Sequence, residues 1–227
     1  MTIIGVDPGR VNDFCTLNVI SDRLISAPVT PHPSLKQYRA PKAPILLTRI
    51  YDVIEIGILR GVSYPKIAEK IHKLCIHPKI SKPYDLVIDA TGVGIALFDM
   101  LKAPPYYLSP FGINFTGGNT DTESPWGRNV PKKDLIENLV VLFETERIKI
   151  SKGMKHVGDF KEQYNNYSRL ANGGFGNLDA DIHDDIVTGV AVALWFAEHT
   201  YPPFVELPSD EEERPAFNPA KHGLTRR

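Results

Sequence analysis

Cysteine is almost absent from this chain. Two, Cys15 and Cys75, occur in 227 residues, far apart and without metal-ligand spacing. Both read as small core residues of a protein kept in a reducing compartment. Neither sign of charge is in excess, since 26 basic and 27 acidic side chains leave a formal charge of -1. The chain is therefore not basic throughout, as many nucleic-acid-binding domains are, although a local basic groove remains open to it. Long hydrophobic runs are missing too. The longest, about a dozen residues from Ile186, falls short of the roughly 20 that span a bilayer. The amino terminus enters a strand pattern rather than a signal peptide, so a cytoplasmic protein without a membrane partner is expected. A Gly-x-x-x-x-Gly-Lys-Ser/Thr phosphate loop is also lacking, which excludes a nucleotide site of that type.

What is present fits one soluble globular core: 42% hydrophobic and 23% charged residues, with nothing that demands a second domain. Residues 2–7 read as a strand buried on both faces, and Phe14 to Ile20 as a second. The proline-rich stretch 21–43 reads as a loop, and Ile45 to Val53 as a third strand with Arg49 and Tyr51 outward. Tyr64-Pro65 opens a helix with Ile67, Ala68, Ile71, Leu74 and Cys75 on one stripe. Tyr84–Ala90 is a fourth strand, followed by a helix through Leu97, Phe98 and Leu101. A fifth strand is expected within Tyr106 to Phe115, then an irregular connection over 116–130. Pro131 suits the first turn of a helix reaching about Arg147. Ile148-Lys149-Ile150 is a short strand, and Phe160, Tyr164 and Tyr167 share one face of a further helix. A glycine-rich hairpin then feeds a buried helix from Asp184, which Pro202-Pro203 stops. We expect one domain over 1–201 and a mobile polar tail over 202–227. Short early links suit an antiparallel hairpin set, and later helical crossovers suit parallel addition to the same sheet. The fold class is thus α/β, a mixed β-sheet flanked by helices.

Three aspartate positions stand out. Asp7 ends the apolar run Ile3-Ile4-Gly5-Val6, Asp89 ends Leu86-Val87-Ile88, and Asp184-Asp185 heads the last helix. If the first and fourth strands are neighbours, these carboxylates converge, and converged carboxylates repel unless cations neutralise them. Hard oxygen ligands suit magnesium or manganese. Two such ions roughly 4 Å apart would support phosphodiester hydrolysis by holding a water in line and offsetting charge on the phosphate. Asp7 is the candidate bridging ligand, Asp89 and Asp185 the candidates for one ion each. Asp184 is a candidate metal or outer ligand, and His183 would orient a carboxylate or assist proton transfer. Each has a plainer reading: Asp7-Pro8-Gly9 as a turn, Asp89 as a loop acceptor, Asp184 and Asp185 as helix caps, His183 as a structural hydrogen-bonder. Gly189, on the face of Asp185, is expected to leave room for metals and substrate.

Gly5-Val6-Asp7-Pro8-Gly9, then Val87-Ile88-Asp89-Ala90-Thr91-Gly92-Val93-Gly94, then His183-Asp184-Asp185-Ile186-Val187 resemble the nuclease domain of tailed-phage large terminase subunits. Pro131-Lys132-Lys133-Asp134-Leu135 through Ile148-Lys149-Ile150 is similar to that family as well. The resemblance covers nearly all the chain except 21–43 and the tail. It implies a ribonuclease H-like fold and metal-dependent endonuclease cleavage of double-stranded DNA during genome packaging, in the host cytoplasm if the chain is phage-encoded. Its catalytic positions fall on Asp7, Asp89 and Asp185, with Asp184 beside them. The packaging ATPase of a complete large terminase is not in this sequence, so this is an isolated nuclease domain, a split-gene product or a stand-alone relative. That ATPase, the small terminase subunit and the portal are the partners implied. Arg10, Arg128, Lys132 and Lys133 are candidate DNA contacts, with Trp126 and Tyr167 as further ones. Alternatives are an actin-like ATPase or phosphotransferase, a Holliday-junction resolvase-like nuclease, and a non-catalytic docking module. The actin-like alternative has no use for Asp184-Asp185 at the head of a late helix.

Overall fold

Strand β1 (Thr2–Asp7) is buried along its whole length, and the rest of the sheet is arranged around it. A computed structural model describes residues 1–9, 14–28, 45–169, 175–177 and 183–206. The chain divides into two compact units, Met1–Leu24 with Arg49–Pro202, and Ile25–Thr48 with Pro203–Arg227. The remaining strands are β2 (Phe14–Pro28), β3 (Ile45–Arg60), β4 (Tyr84–Asp89), β5 (Phe111–Thr116), β6 (Thr122–Ser124), β7 (Gly127–Pro131), β8 (Ile148–Ile150), β9 (Tyr167–Arg169), β10 (Phe175–Asn177) and β11 (Phe204–Glu206). The helices are α1 (Tyr64–Cys75), α2 (Gly94–Lys102), α3 (Lys132–Glu144), α4 (Val157–Asn166) and α5 (Asp185–Thr200).

In the first unit the sheet order is β3-β2-β1-β4-β5-β7-β6, with β8 parallel to β3 at Tyr51 to Val53. β1 is antiparallel to β2 and parallel to β4, and β4, β5 and β7 continue in parallel. All four parallel strands therefore deliver their carboxyl ends to one edge of the sheet, the edge at which open α/β sheets bind ligands. β9 and β10 form a separate two-stranded hairpin. In the second unit β11 is antiparallel to Ile45 to Leu47 of β3.

Side chains alternate across a strand, and β1 divides accordingly. Ile4 and Val6 join Leu86, Ile88 and the apolar stripes of α1 and α2 in one core cluster. Ile3 joins Val87, Ile113 and helices α3, α4 and α5 in the other. Both cysteines are buried in the first cluster, as expected. Helix α5 is buried on every side from Ile186 to Ala197, the pattern of a helix enclosed by its own protein.

α5 packs tightly on the sheet at two glycines. A Cβ on Gly5 would lie 2.2 Å from the Gly189 carbonyl oxygen, and one on Gly189 would lie 2.3 Å from Asn18 Nδ2 and 2.6 Å from Thr16 Oγ1. Gly189 thus makes room for Thr16 and Asn18 of β2, and not, as expected from the sequence, for metals and substrate. With β1 and α5 in backbone contact there, Asp7 at the strand end meets the first turn of α5.

Several segments differ from expectation. β2 continues through Ser21 to Pro28 where a loop was expected, and β3 runs on to Arg60. Burial does not follow a period of two along β3: Ile54 and Ile56, on one strand face, are 53% and 2% exposed. β6 and β7 replace the irregular connection, being short and flanked by turn residues. Tyr167 lies in β9, past the end of α4. Tyr51 is buried rather than outward, its hydroxyl donating to Glu198 at 2.5 Å while Arg147 grips the same carboxylate.

Candidate active site

Val6 pairs with Ile88 in the parallel register of β1 and β4, so the next residues, Asp7 and Asp89, close the two strands at one level. Adjacent strands lie about 4.8 Å apart. Asp7 shares the face of Ile3 and Gly5, and Asp89 the face of Val87, which is the side covered by α5. The first turn of α5 brings Asp184, Asp185 and Thr188 to the same place. Asp7, Asp89, Asp184, Asp185, Thr188 and Lys132 line one open cavity of about 400 Å³, with the Thr91 to Gly94 turn and Phe115 completing its wall.

Local hydrogen bonds fix the two strand-end carboxylates. Asp7 Oδ1 accepts the Gly9 amide at 3.2 Å, and Asp89 Oδ1 accepts the Thr91 amide at 2.8 Å. The turn reading of these aspartates is therefore correct for one oxygen of each. Asp7 Oδ2 accepts the hydroxyl of Thr188. Asp184 Oδ2 lies 2.7 Å from Lys132 Nζ, whose ammonium also stands 5.8 Å from the ring centroids of Phe115 and Tyr167. Asp185 accepts the Thr16 hydroxyl on its backbone carbonyl at 2.9 Å, and its side chain is 3.7 Å from His183 Nδ1. His183 in turn packs edge-on to Phe14 at 5.1 Å.

Burial and mutual repulsion raise both strand-end carboxyls. Asp7 is pushed up to about 6, first by loss of water and also by the charge of Asp184, against lowering by Thr188, Gly9 and Lys132. Asp89 is pushed up to about 8, again chiefly by burial and next by the charge of Asp7. The pair holds protons that an unfolded chain would release near pH 4, so the metal-free fold loses stability as pH rises through the window between about 4 and about 8. Thermal melts in chelator are expected to give a lower Tm at about pH 8 than at about pH 5, with the slope flattened in Asp89→Asn. A cation is expected to raise Tm mainly at the alkaline end, where it need not displace protons. Equal pH slopes in the two proteins would contradict this account.

The donor set fits hard divalent cations. All four carboxylates offer oxygen, and two of them are held at a cost that a cation would offset. Among the described residues, however, no three such side chains close on a single point, and Asp184 is already paired with Lys132.

The expected DNA contacts scatter. Lys132 is inside the cavity, while Lys133 donates to Asn119 Oδ1 at 2.9 Å. Arg128 pairs with Asp121 and lines a different cavity with Trp195 and His199. Trp195 is roughly 15 Å along α5 from Asp185, so Arg128 does not join the carboxylates. Trp126 starts the turn into β7, at the opposite ends of the parallel strands. Arg10 lies outside the described residues. Sequence reasoning missed Thr188, although its place three residues after Asp185 puts it on the same helix face.

No protein-family model matches the chain, and no curated protein matches it in sequence. Solved structures do. The large terminase nuclease from thermophilic phage G20c matches at 19% identity over 85% of this chain and 80% of that one, with a TM-score of 0.50. The chain shares with that nuclease its α/β fold, a mixed sheet flanked by helices. The g2p large terminase nuclease domain from bacteriophage SPP1, solved with bound Mn, matches at 13% identity, 87% and 86% coverage, and a TM-score of 0.47. The P22 large terminase nuclease domain matches at 13% identity, 84% and 78% coverage, and a TM-score of 0.43. The match to the G20c nuclease supports the resemblance at the level of the fold. No helix of the described residues is long and apolar enough to cross a membrane.

Proposed function

We propose that this chain is a divalent-metal-dependent endonuclease that cuts double-stranded DNA, acting in phage genome packaging. The observation that carries the reading is the cavity itself: four aspartates from β1, β4 and the head of α5 line one pocket. Burial and mutual repulsion raise two of them, Asp7 and Asp89, above the ordinary carboxyl range. Mutual repulsion and burial make such a cluster costly unless cations neutralise it.

In this reading Asp7, Asp89 and Asp185 hold two Mg2+ or Mn2+ ions, with Asp184 beside them. When bound, the metals supply Lewis-acid activation of water and offset the charge growing on the phosphate. The chain's own residues do the rest. Thr188 and Gly9 hold Asp7 in one orientation, Thr91 does so for Asp89, and His183 steadies Asp185. Lys132, the cation lining the cavity, is placed to meet a backbone phosphate. Phosphate contacts carry little sequence information, so weak sequence preference is expected. The partners proposed are double-stranded DNA, a packaging ATPase, a small terminase subunit and a portal, in the host cytoplasm. The actin-like alternative gains no support from Asp184 and Asp185, which such an ATPase would not need in its cavity.

Supercoiled plasmid incubated with the protein is expected to be nicked and linearised in Mn2+ or Mg2+ and left intact in chelator. Plasmid left whole in every metal condition at high protein concentration would defeat the proposal. ATP turnover abolished by Asp7→Ala would favour the actin-like alternative instead.

A further inference from the structure

An aspartate at the head of a helix ordinarily caps that helix, its carboxylate accepting the amide of the second or third helical residue. α5 is capped differently. Asp184, at the cap position, makes no side-chain cap hydrogen bond, and its carboxylate is paired with Lys132 instead. The amides of Ile186 and Val187, second and third in the helix, both donate to Oε1 of Gln163, at 3.0 and 3.3 Å. Gln163 belongs to α4 and is 5% exposed. Two N–H donors on one atom require the carbonyl oxygen there, so the partners fix the orientation of the side-chain amide.

We propose that Gln163 is a positioning residue for the carboxylate site, capping α5 from a neighbouring helix and so leaving Asp184 and Asp185 to the cavity. A neutral amide suits this place. It satisfies the orphan amides of the first turn without adding a fifth negative charge beside four carboxylates. Removing it would leave two buried donors without a partner, and the residue at the cap position, whose side chain ordinarily accepts from them, is Asp184. The catalytic part of this inference rests on the nuclease reading; the capping part does not.

The test uses the full chain and Gln163→Leu, with manganese binding measured by calorimetry without DNA, and with cleavage kinetics and thermal melts. We expect Gln163→Leu to lose about 10- to 100-fold in Mn2+ affinity and in kcat, while KM for DNA stays within about twofold. Gln163→Glu keeps an acceptor for both amides and should recover most of the Tm, while the fifth charge it adds leaves kcat below that of the wild type. Asp184→Ala should change Tm little in the wild-type background and lower it clearly in the Gln163→Leu background, where Asp184 has turned back to cap the helix. A folded Gln163→Leu with unchanged Mn2+ affinity and kcat would overturn the proposal. So would additive Tm changes for Gln163→Leu and Asp184→Ala. A wild-type protein that neither binds Mn2+ nor cuts DNA would instead sink the nuclease reading, and the melting cycle would still judge the cap.

Discussion

Asp89→Asn is expected to lower metal-dependent cleavage by roughly a thousandfold, or about 4 kcal/mol of barrier, and to raise the Tm of the metal-free protein at about pH 8. The two effects have opposite signs for one reason. Asparagine keeps the oxygen that accepts the Thr91 amide, so the turn after β4 survives. It removes the charge that burial and Asp7 make costly, and with it the charge that a cation requires. Asp7→Asn should behave alike in activity, although its loss of the Thr188 and Gly9 interactions with a full charge tempers any gain in Tm. Measured side by side, cleavage of plasmid and melts in chelator decide the matter. Full activity in Asp89→Asn would remove that residue from the site, and a large fall in Tm would make its role structural.

The two adjacent aspartates should separate by about two orders of magnitude. Asp184 is the cap residue and Asp185 the first residue of the helix, so their side chains leave the backbone in different directions and do not present equivalent oxygens to one ion. Asp184 is neutralised by Lys132 at 2.7 Å, while Asp185 begins the helix within reach of His183 and beneath Thr16. We expect Asp185→Asn to abolish cleavage, by roughly a thousandfold, and Asp184→Asn to weaken it about tenfold. Single-turnover rates at saturating Mn2+ measure the difference directly. Loss at Asp184 with full activity at Asp185 would exchange their roles.

Much of the site was legible because its residues interrupt strong local patterns. An aspartate closing a run such as Ile3-Ile4-Gly5-Val6 is conspicuous, and a period of two predicts which face it takes once the strand is known. Parallel pairing of β1 with β4 followed from the helical crossovers between strands. Less was legible where contacts cross the fold. Nothing local to Gln163 announces that it serves α5, and the pairing of Lys132 with Asp184 joins residues 52 apart. Gly189 was expected to leave room for metals and substrate, but the neighbour that needs the space is β2, which sequence spacing does not reveal. The long arms of β2 and β3 were missed because half-exposed strands with mixed polar and apolar residues have no periodic signature. Tyr51 was placed outward because a tyrosine's burial depends on a distant acceptor, here Glu198.

The contact of Gly5 with Gly189 also limits how this protein can be altered. In most cores an enlarged side chain can be accommodated by trimming the one it strikes, so paired substitutions keep volume constant. At Gly5 the atom struck is a carbonyl oxygen of the main chain, and the residue that carries it has no side chain left to trim. No compensating substitution at position 189 exists, and relief would require α5 to lift away from β1, carrying Asp185 and Thr188 with it. Neither position offers a stepwise route to a larger residue, so stability engineering here must begin at surfaces remote from that crossing.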